Sequence, residues 1–297
     1  MTLPTRATAK SRADFAVAER IAAFLSRDSD VAAIAVGGSV ARGIANPISD
    51  LDVFVYCLRF PAERTRRALV ESLGGTHWRT HSGTEDQGLV RECFVAGGAR
   101  VDLDLLLVPT VEACLRAVLE KHNLTPHIQA FVGGFVDAIS LHGHELHETW
   151  RARAAAYPPE LGRRQVAANL FVEPLWTAEN SATACGERLR FLESLCRVEN
   201  AVLSILVGLN HLYRPSEWKR LRRLIEGMPL APANLAERLE RALTADVREA
   251  TRELSAVVSE TFDLVERHLP DLDVARARAH FTSDPALADY PAHPAPS

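Results

Sequence analysis

Two hydrophobic rhythms divide the chain. Through its first half, short apolar runs are broken by glycine-bearing turns. Val31-Ala32-Ala33-Ile34-Ala35-Val36 carries no polar residue and predicts a buried strand. Leu51 to Leu58 predicts a second, with Asp52 and Phe54 on one face and Leu51, Val53 and Val55 on the other. Leu89 to Val95 and Arg100 to Val108 predict a hairpin around Ala96-Gly97-Gly98-Ala99. Between them the polar stretch after Gly75 predicts a loop. Helical spacing marks Phe15 to Ser26, Ala62 to Leu73 after Pro61, and Val111 to His122 after Pro109. Another apolar segment runs from Ile128 to Leu141.

Beyond Gly143 the pattern is almost wholly helical: Glu145 to Ala156, Arg163 to Glu179, Gly186 to Tyr213, Glu217 to Gly227, and Leu235 to Leu269 with breaks. In the longest of these, Leu195, Val198, Val202, Ile205, Leu206, Leu209 and Leu212 recur at steps of three and four, the mark of a helix buried against others. The expected fold class is therefore α/β (α+β) with a mixed sheet over 1–143, then an all-α helical bundle over 144–284. A loose tail over 285–297, rich in proline and poor in apolar residues, completes the expected organisation.

At 297 residues the chain has room for two cores. A net charge of −4 argues against wholesale coating by nucleic acid, though not against a local basic groove. The five cysteines, Cys57, Cys93, Cys114, Cys185 and Cys196, show no Cys-x-x-Cys spacing, and all but Cys185 fall in predicted strands or helices. Buried, reduced thiols in a reducing compartment are the expectation. No signal peptide or membrane-spanning run is visible, so a cytoplasmic protein without membrane partners is expected.

The chemistry concentrates in Gly37-Gly38-Ser39-Val40-Ala41-Arg42-Gly43 and, after a short gap, Ser49-Asp50-Leu51-Asp52-Val53. Glycines after a strand permit a tight turn and close approach of a ligand to the backbone. Gly37, Gly38 and Ser39 sit where the first N–H groups of a helical turn would meet phosphate. Asp50 and Asp52, two apart on an extended segment, share a face at a spacing of roughly 6.6 Å. They repel unless a cation lies between them, and Mg²⁺ suits carboxylate oxygens combined with nucleotide phosphates. Asp102 and Asp104 repeat the pattern in the very hydrophobic strand Arg100 to Val108.

Val36-Gly37-Gly38-Ser39, the gap to Ser49, and Asp50-Leu51-Asp52-Val53 together resemble the signature of the polymerase β nucleotidyltransferase superfamily. That resemblance implies transfer of a nucleoside monophosphate from an NTP, with ATP the expected donor, to an acceptor hydroxyl with release of pyrophosphate. It implies Asp50 and Asp52 as ligands of Mg²⁺, in a two-ion arrangement. It also implies a third carboxylate on a neighbouring strand, Asp102 first with Asp104 as its rival. Gly37, Gly38 and Ser39 would hold phosphates, with Arg42 and Ser49 adding contacts. Through Leu209-Asn210 to Pro215 before Lys219, the second half resembles the helical region of bacterial nucleotidyltransferases of unassigned substrate, related to aminoglycoside- and lincosamide-type enzymes; the lysine that reaches the triphosphate in such drug-modifying relatives nominates Lys219. A small hydroxyl-bearing acceptor such as an antibiotic leads. Protein nucleotidylylation, including toxin-neutralising types, and a non-catalytic nucleotide sensor stand behind it, and a nucleic-acid partner is not expected.

The remaining candidates are weaker. His142, His144 and His147 match no zinc spacing and are expected at a surface or hinge. Ser39 has no triad partner as a nucleophile. Glu173 and Glu199 could each serve as a base toward substrate, or simply lie on helix surfaces.

Overall fold

The computed structural model describes residues 2–283; the expected tail over 285–297 lies outside them. The chain divides into two compact units between Tyr157 and Pro158.

The first unit is organised by a six-stranded mixed sheet. In chain order its elements are α1 (Ala9–Leu25), β1 (Val31–Val36), α2 (Gly38–Ala41), β2 (Leu51–Cys57), α3 (Glu63–Ser72), β3 (Thr76–Thr84), β4 (Leu89–Ala96), β5 (Ala99–Leu107), α4 (Val108–Leu119), α5 (Pro126–Asp137), β6 (Ile139–His142) and α6 (His144–Ala155). The strands lie side by side in the order β3-β4-β5-β2-β1-β6. Only β2 and β5 run parallel; the other pairs are antiparallel. β4 and β5 meet through Gly97 and Gly98, both at positive φ, as a two-residue hairpin turn requires.

Alternation along the strands assigns the faces. Leu51, Val53 and Val55 of β2 join Val101, Leu103 and Leu105 of β5 in one core with Ile21 and Leu25 of α1 and Leu69 and Val70 of α3. On that face Glu92 of β4, itself buried, accepts from Arg66 of α3 at 2.9 Å and from the Trp78 indole of β3 at 3.0 Å. A charged pair survives there because each partner's polar atoms are satisfied. The opposite face carries Asp52, Phe54 and Tyr56. Tyr56 is covered by Phe135 of α5 and Trp150 of α6, with ring centroids 5.7 Å and 5.0 Å away.

β3 is the element that the hydrophobic pattern does not announce. Thr76-His77-Trp78-Arg79-Thr80-His81-Ser82-Gly83-Thr84 was expected as loop, and it is an edge strand exposed along most of its length. Apolar alternation is absent because almost nothing packs on it; its bulges and charged side chains are those of a protected sheet edge. The sequence changes character at Gly143, whereas α6 packs with the first unit through Trp150 and His147, both fully buried.

In the second unit α7 (Pro159–Asn169), α8 (Trp176–Cys185), α9 (Arg188–Leu209), α10 (Leu221–Glu226), α11 (Leu235–Thr244), α12 (Val247–His268) and α13 (Val274–Phe281) surround one apolar core. α9 supplies Leu195, Val198, Val202, Ile205, Leu206 and Leu209 to it, as its periodicity predicts. The single helix expected from Arg163 to Glu179 is two, divided near Pro174, which cannot donate to a helix. Among the described residues no helix is long and apolar enough to cross a membrane. Cys57 is buried and Cys93 and Cys114 partly so, but Cys185 and Cys196 are exposed. For Cys196 this corrects the expectation of burial: it lies on the polar side of α9.

His147 is buried among Tyr56, Phe135 and Trp150, and neither ring nitrogen has a hydrogen-bond partner. Burial pushes its pKa down to about 4. The unfolded chain therefore takes up a proton there before the folded one does, and stability falls as pH drops from about 6.5 toward 4. Replacing His147→Leu should remove that part of the acid sensitivity, on the order of 3 kcal/mol at pH 4. Urea midpoints measured between pH 7 and pH 4 for both proteins would read it; parallel curves would contradict it.

Candidate active site

The register of β2 against β5 assembles the acidic cluster. Asp52 pairs with Asp102, and Phe54 with Asp104, across the two parallel strands. Asp102 in turn faces Cys93 on β4, and Cys93 faces Arg79 on β3. One row across four strands thus reads Arg79, Cys93, Asp102, Asp52, all on one face. Asp50, two residues before Asp52, precedes the first residue of β2.

These carboxylates have different surroundings. Asp104 is buried and held by two hydrogen bonds of 2.6 Å from Arg91, a bidentate pair. Asp102 is partly exposed and accepts from the Cys93 thiol at 3.2 Å. Asp50 receives Arg100 at 2.8 Å in an exposed ion pair. Burial, and then the charges of Asp50, Asp102 and Asp104, push the Asp52 carboxyl up to about 6, against the opposing pull of Arg91. Burial and the hydrogen bond to Asp102 also push the Cys93 thiol up to about 11, so it is a neutral donor near pH 7.

The glycine turn lies directly against this cluster. The Gly37 N–H donates to the Asp52 carbonyl at 3.1 Å. Gly38 adopts φ +59, and a Cβ there would collide with Oδ2 of Asp52. A Cβ on Gly37 would come within 2.6 Å of the Phe54 ring. No side chain fits between the turn and the aspartate. Ser39 is buried at the start of α2, and Arg42 caps its end. Arg42 pairs with Asp137 at 3.4 Å, while the Ser49 hydroxyl bonds Asn46 at 2.9 Å.

The structure therefore brings Gly37, Gly38, Ser39, Asp50, Asp52, Asp102 and Asp104 together in the first unit. Lys219 belongs to the second, where it pairs with Glu217 at 3.1 Å. It lies ahead of α10, which begins only at Leu221, so the helix expected from Glu217 starts later. Glu173 is an exposed partner of Arg197. Glu199 is partly buried, its Oε1 enclosed and lacking a hydrogen bond, and burial raises its pKa to about 7. His144 bonds Ser140, and His147 is a core residue, which corrects its expected place at a surface or hinge. Among the described residues no three His, Cys, Asp or Glu side chains form a ready-made metal cage.

Sequence reading passed over Arg91, Cys93 and Arg79. The signal for the first two was available, since odd-numbered positions of β4 must share the face of Asp102 and Asp104 once the hairpin is drawn. Arg79 was hidden with its strand.

The nucleotidyltransferase domain family matches residues 18–78, about a fifth of the 297-residue chain. The match spans the glycine turn, Asp50 and Asp52 and ends before Asp102. It makes this part of the first unit a nucleotidyltransferase domain and the protein a nucleotidyltransferase. No curated protein matches the chain. Among solved structures, a nucleotidyltransferase-like protein from Exiguobacterium sibiricum is similar at 11% identity and a TM-score of 0.37, covering 89% of this chain and 81% of that one. Nothing in these matches singles out aminoglycoside- or lincosamide-modifying relatives.

Replacing Gly38→Ala should cost about 2 kcal/mol, combining left-handed strain with displacement of Asp52. In an Asp52→Ala background the same change should cost about 1 kcal/mol less, because the obstructing carboxylate is gone. Urea melts of the four proteins would reveal this coupling, and simple additivity would refute the contact.

Proposed function

We propose that this nucleotidyltransferase moves a nucleoside monophosphate from an NTP, with ATP the expected donor, to a hydroxyl of a small acceptor. The observation that carries the reading is the Asp52–Asp102 pair, in register on adjacent strands, with Asp52 pressed against the Gly37-Gly38 turn. Phosphate binds at the turn, where the backbone can be approached closely. The acidic side chains beside it suit the divalent cation that accompanies an NTP.

The donor set fits Mg²⁺, which is typically held by one or two carboxylates completed by substrate phosphates and water. Asp50 and Asp52 would hold it, with Asp102 available to a second ion. The electrostatic support is the upward shift of Asp52, a carboxylate short of compensating positive charge. Bound there, the ion would neutralise charge on the phosphates during transfer.

The protein's own groups do the rest. Gly37, Gly38 and Ser39 orient the phosphate chain, and Arg42 and Ser49 are near enough in sequence to add contacts. Asp102, partly exposed and oriented by the Cys93 thiol, is the proposed acceptor of the attacking hydroxyl's proton wherever it does not hold a second ion. A new bond forms between that oxygen and the α-phosphorus, the bond to the β-phosphate bridging oxygen breaks, and pyrophosphate leaves. Asp104 is better suited to structure than to chemistry, because Arg91 occupies both its oxygens. Lys219 is kept as a proposed triphosphate ligand on the sequence resemblance alone.

Antibiotics are one class of hydroxyl acceptor that the sequence resemblance raises, and a protein side chain is another.

Asp52→Asn should abolish pyrophosphate release from labelled NTP and Mg²⁺, by at least about a thousandfold. Its melting temperature without Mg²⁺ should equal or exceed that of the parent, because the folded protein disfavours this charge: its folded pKa lies above the unfolded value. A well-folded variant with full turnover would contradict the assignment. A parent protein that binds NTP and returns it unchanged would favour the sensor reading.

A further inference from the structure

A cleft of about 410 Å³ opens beside Asp102, on the face of the sheet that carries the acidic cluster. Its walls include His77, Arg79 and His81 of β3 and Arg100 of β5, and Asp102 is the one carboxylate among its lining residues. A chain of net charge −4 has thus placed two arginines and two histidines around one small cavity. Among the described residues Arg79 forms no salt bridge. Arg100 holds only the exposed pair with Asp50, a contact of small net value that a bound anion can replace.

Strand order says which part of the reaction this cleft serves. The glycine turn follows β1, on one side of β2, while β5, β4 and β3 extend from the other. The carboxylate pair of β2 and β5 therefore lies between the phosphate-binding turn and the basic cleft. In-line transfer requires the nucleophile and the departing pyrophosphate on opposite sides of the reacting phosphorus. With the phosphate chain at the turn, the acceptor hydroxyl approaches from the cleft. Arg79 stands two strands from Asp102, about 10 Å at backbone level, and an arginine side chain reaches back across much of that gap.

The cleft is built rather than incidental. Trp78, between His77 and Arg79, points to the other face, where its indole is tied to Glu92 and its ring lies under Arg67 at 4.9 Å. Arg79 pairs with Cys93 on the acidic side, and the two irregular steps of β3 bring His77 and His81 to the same cleft.

We propose that the acceptor is an anionic small molecule, a hydroxyl compound bearing a phosphate or carboxylate group. Arg79 and Arg100, with His77 and His81, hold the anion while the hydroxyl meets Asp102. The inference rests on the nucleotidyltransferase reading and narrows it: a polycationic acceptor such as an aminoglycoside would face like charge at the cleft.

Two measurements on the full chain test it. In the first, pyrophosphate release is followed with Mg²⁺ and NTP against matched acceptors: glycerol and glycerol 3-phosphate, ribose and ribose 5-phosphate, an aminoglycoside, and a short RNA. A phosphate-bearing small acceptor should exceed its unphosphorylated partner by at least about tenfold in kcat/KM. Arg79→Gln should raise the KM of that acceptor by about tenfold, leaving the KM for NTP unchanged. Preference for neutral, cationic or RNA acceptors, or indifference to Arg79→Gln, would overturn the proposal. In the second, binding of ribose 5-phosphate is measured by calorimetry without NTP. Saturable binding weakened about tenfold by Arg79→Gln with His81→Gln is expected, and no binding to the parent protein would overturn the anion site. Anion binding without transfer to any acceptor would sink the catalytic reading and leave the anion site standing. Transfer without anionic preference would do the reverse.

Discussion

Three carboxyl groups on one face of the sheet, Asp52, Asp102 and Asp104, with Asp50 just ahead of β2, repel each other, and the first unit is arranged around that repulsion. Asp52 and Asp102 are neighbours because β2 and β5 run parallel in register; Asp104 follows two residues behind Asp102, and Asp50 two ahead of Asp52. Arg91 neutralises Asp104 inside the protein, and Arg100 meets Asp50 at the edge. Asp52 has no comparable cation of its own, and its carboxyl is pushed up to about 6. The imbalance is local and sits beside the glycine turn, where the proposed Mg²⁺ with its nucleotide phosphates would offset it.

Such a cluster persists because the opposite face of the sheet is rigidly held. Leu51, Val53, Val55, Val101, Leu103 and Leu105 are all buried there. Along the two strands they alternate with Asp52, Asp102 and Asp104 of the acidic face, so a register slip of one residue would exchange core for carboxylate. The Arg66–Glu92–Trp78 network extends the same discipline to the edge strands. The cleft beside Asp102 inherits its shape from this scaffold.

The acidic and basic regions suit the two partners of a transfer reaction. Under the proposed reading the donor's phosphates lie with a metal ion at the acidic side, and the acceptor meets the cleft that carries Arg79 and Arg100. The Cys93 thiol, neutral and hydrogen-bonded to Asp102, stands between them. Tyr56, Phe135, His147 and Trp150 pack beyond Phe54 and close the other end of the acidic face.

The sequence by itself determined the fold class and nominated the residues of the candidate site. Val31 to Val36, the alternation of Leu51 to Cys57, and the glycines and aspartates between them are local patterns, and local patterns follow from the stereochemistry of neighbouring residues. The periodicity of α9 was legible for the same reason. Tertiary structure alone decided what depends on pairing between distant segments. It separated Asp102 from Asp104, because only register reveals that Arg91 occupies the latter. It made a strand of Thr76 to Thr84, whose polar residues form an edge that no core demands. It set Arg79 in line with Asp52, four strands across and 27 residues apart in sequence, since cross-strand neighbours are chosen by hydrogen-bonding partners and leave no mark on either segment alone.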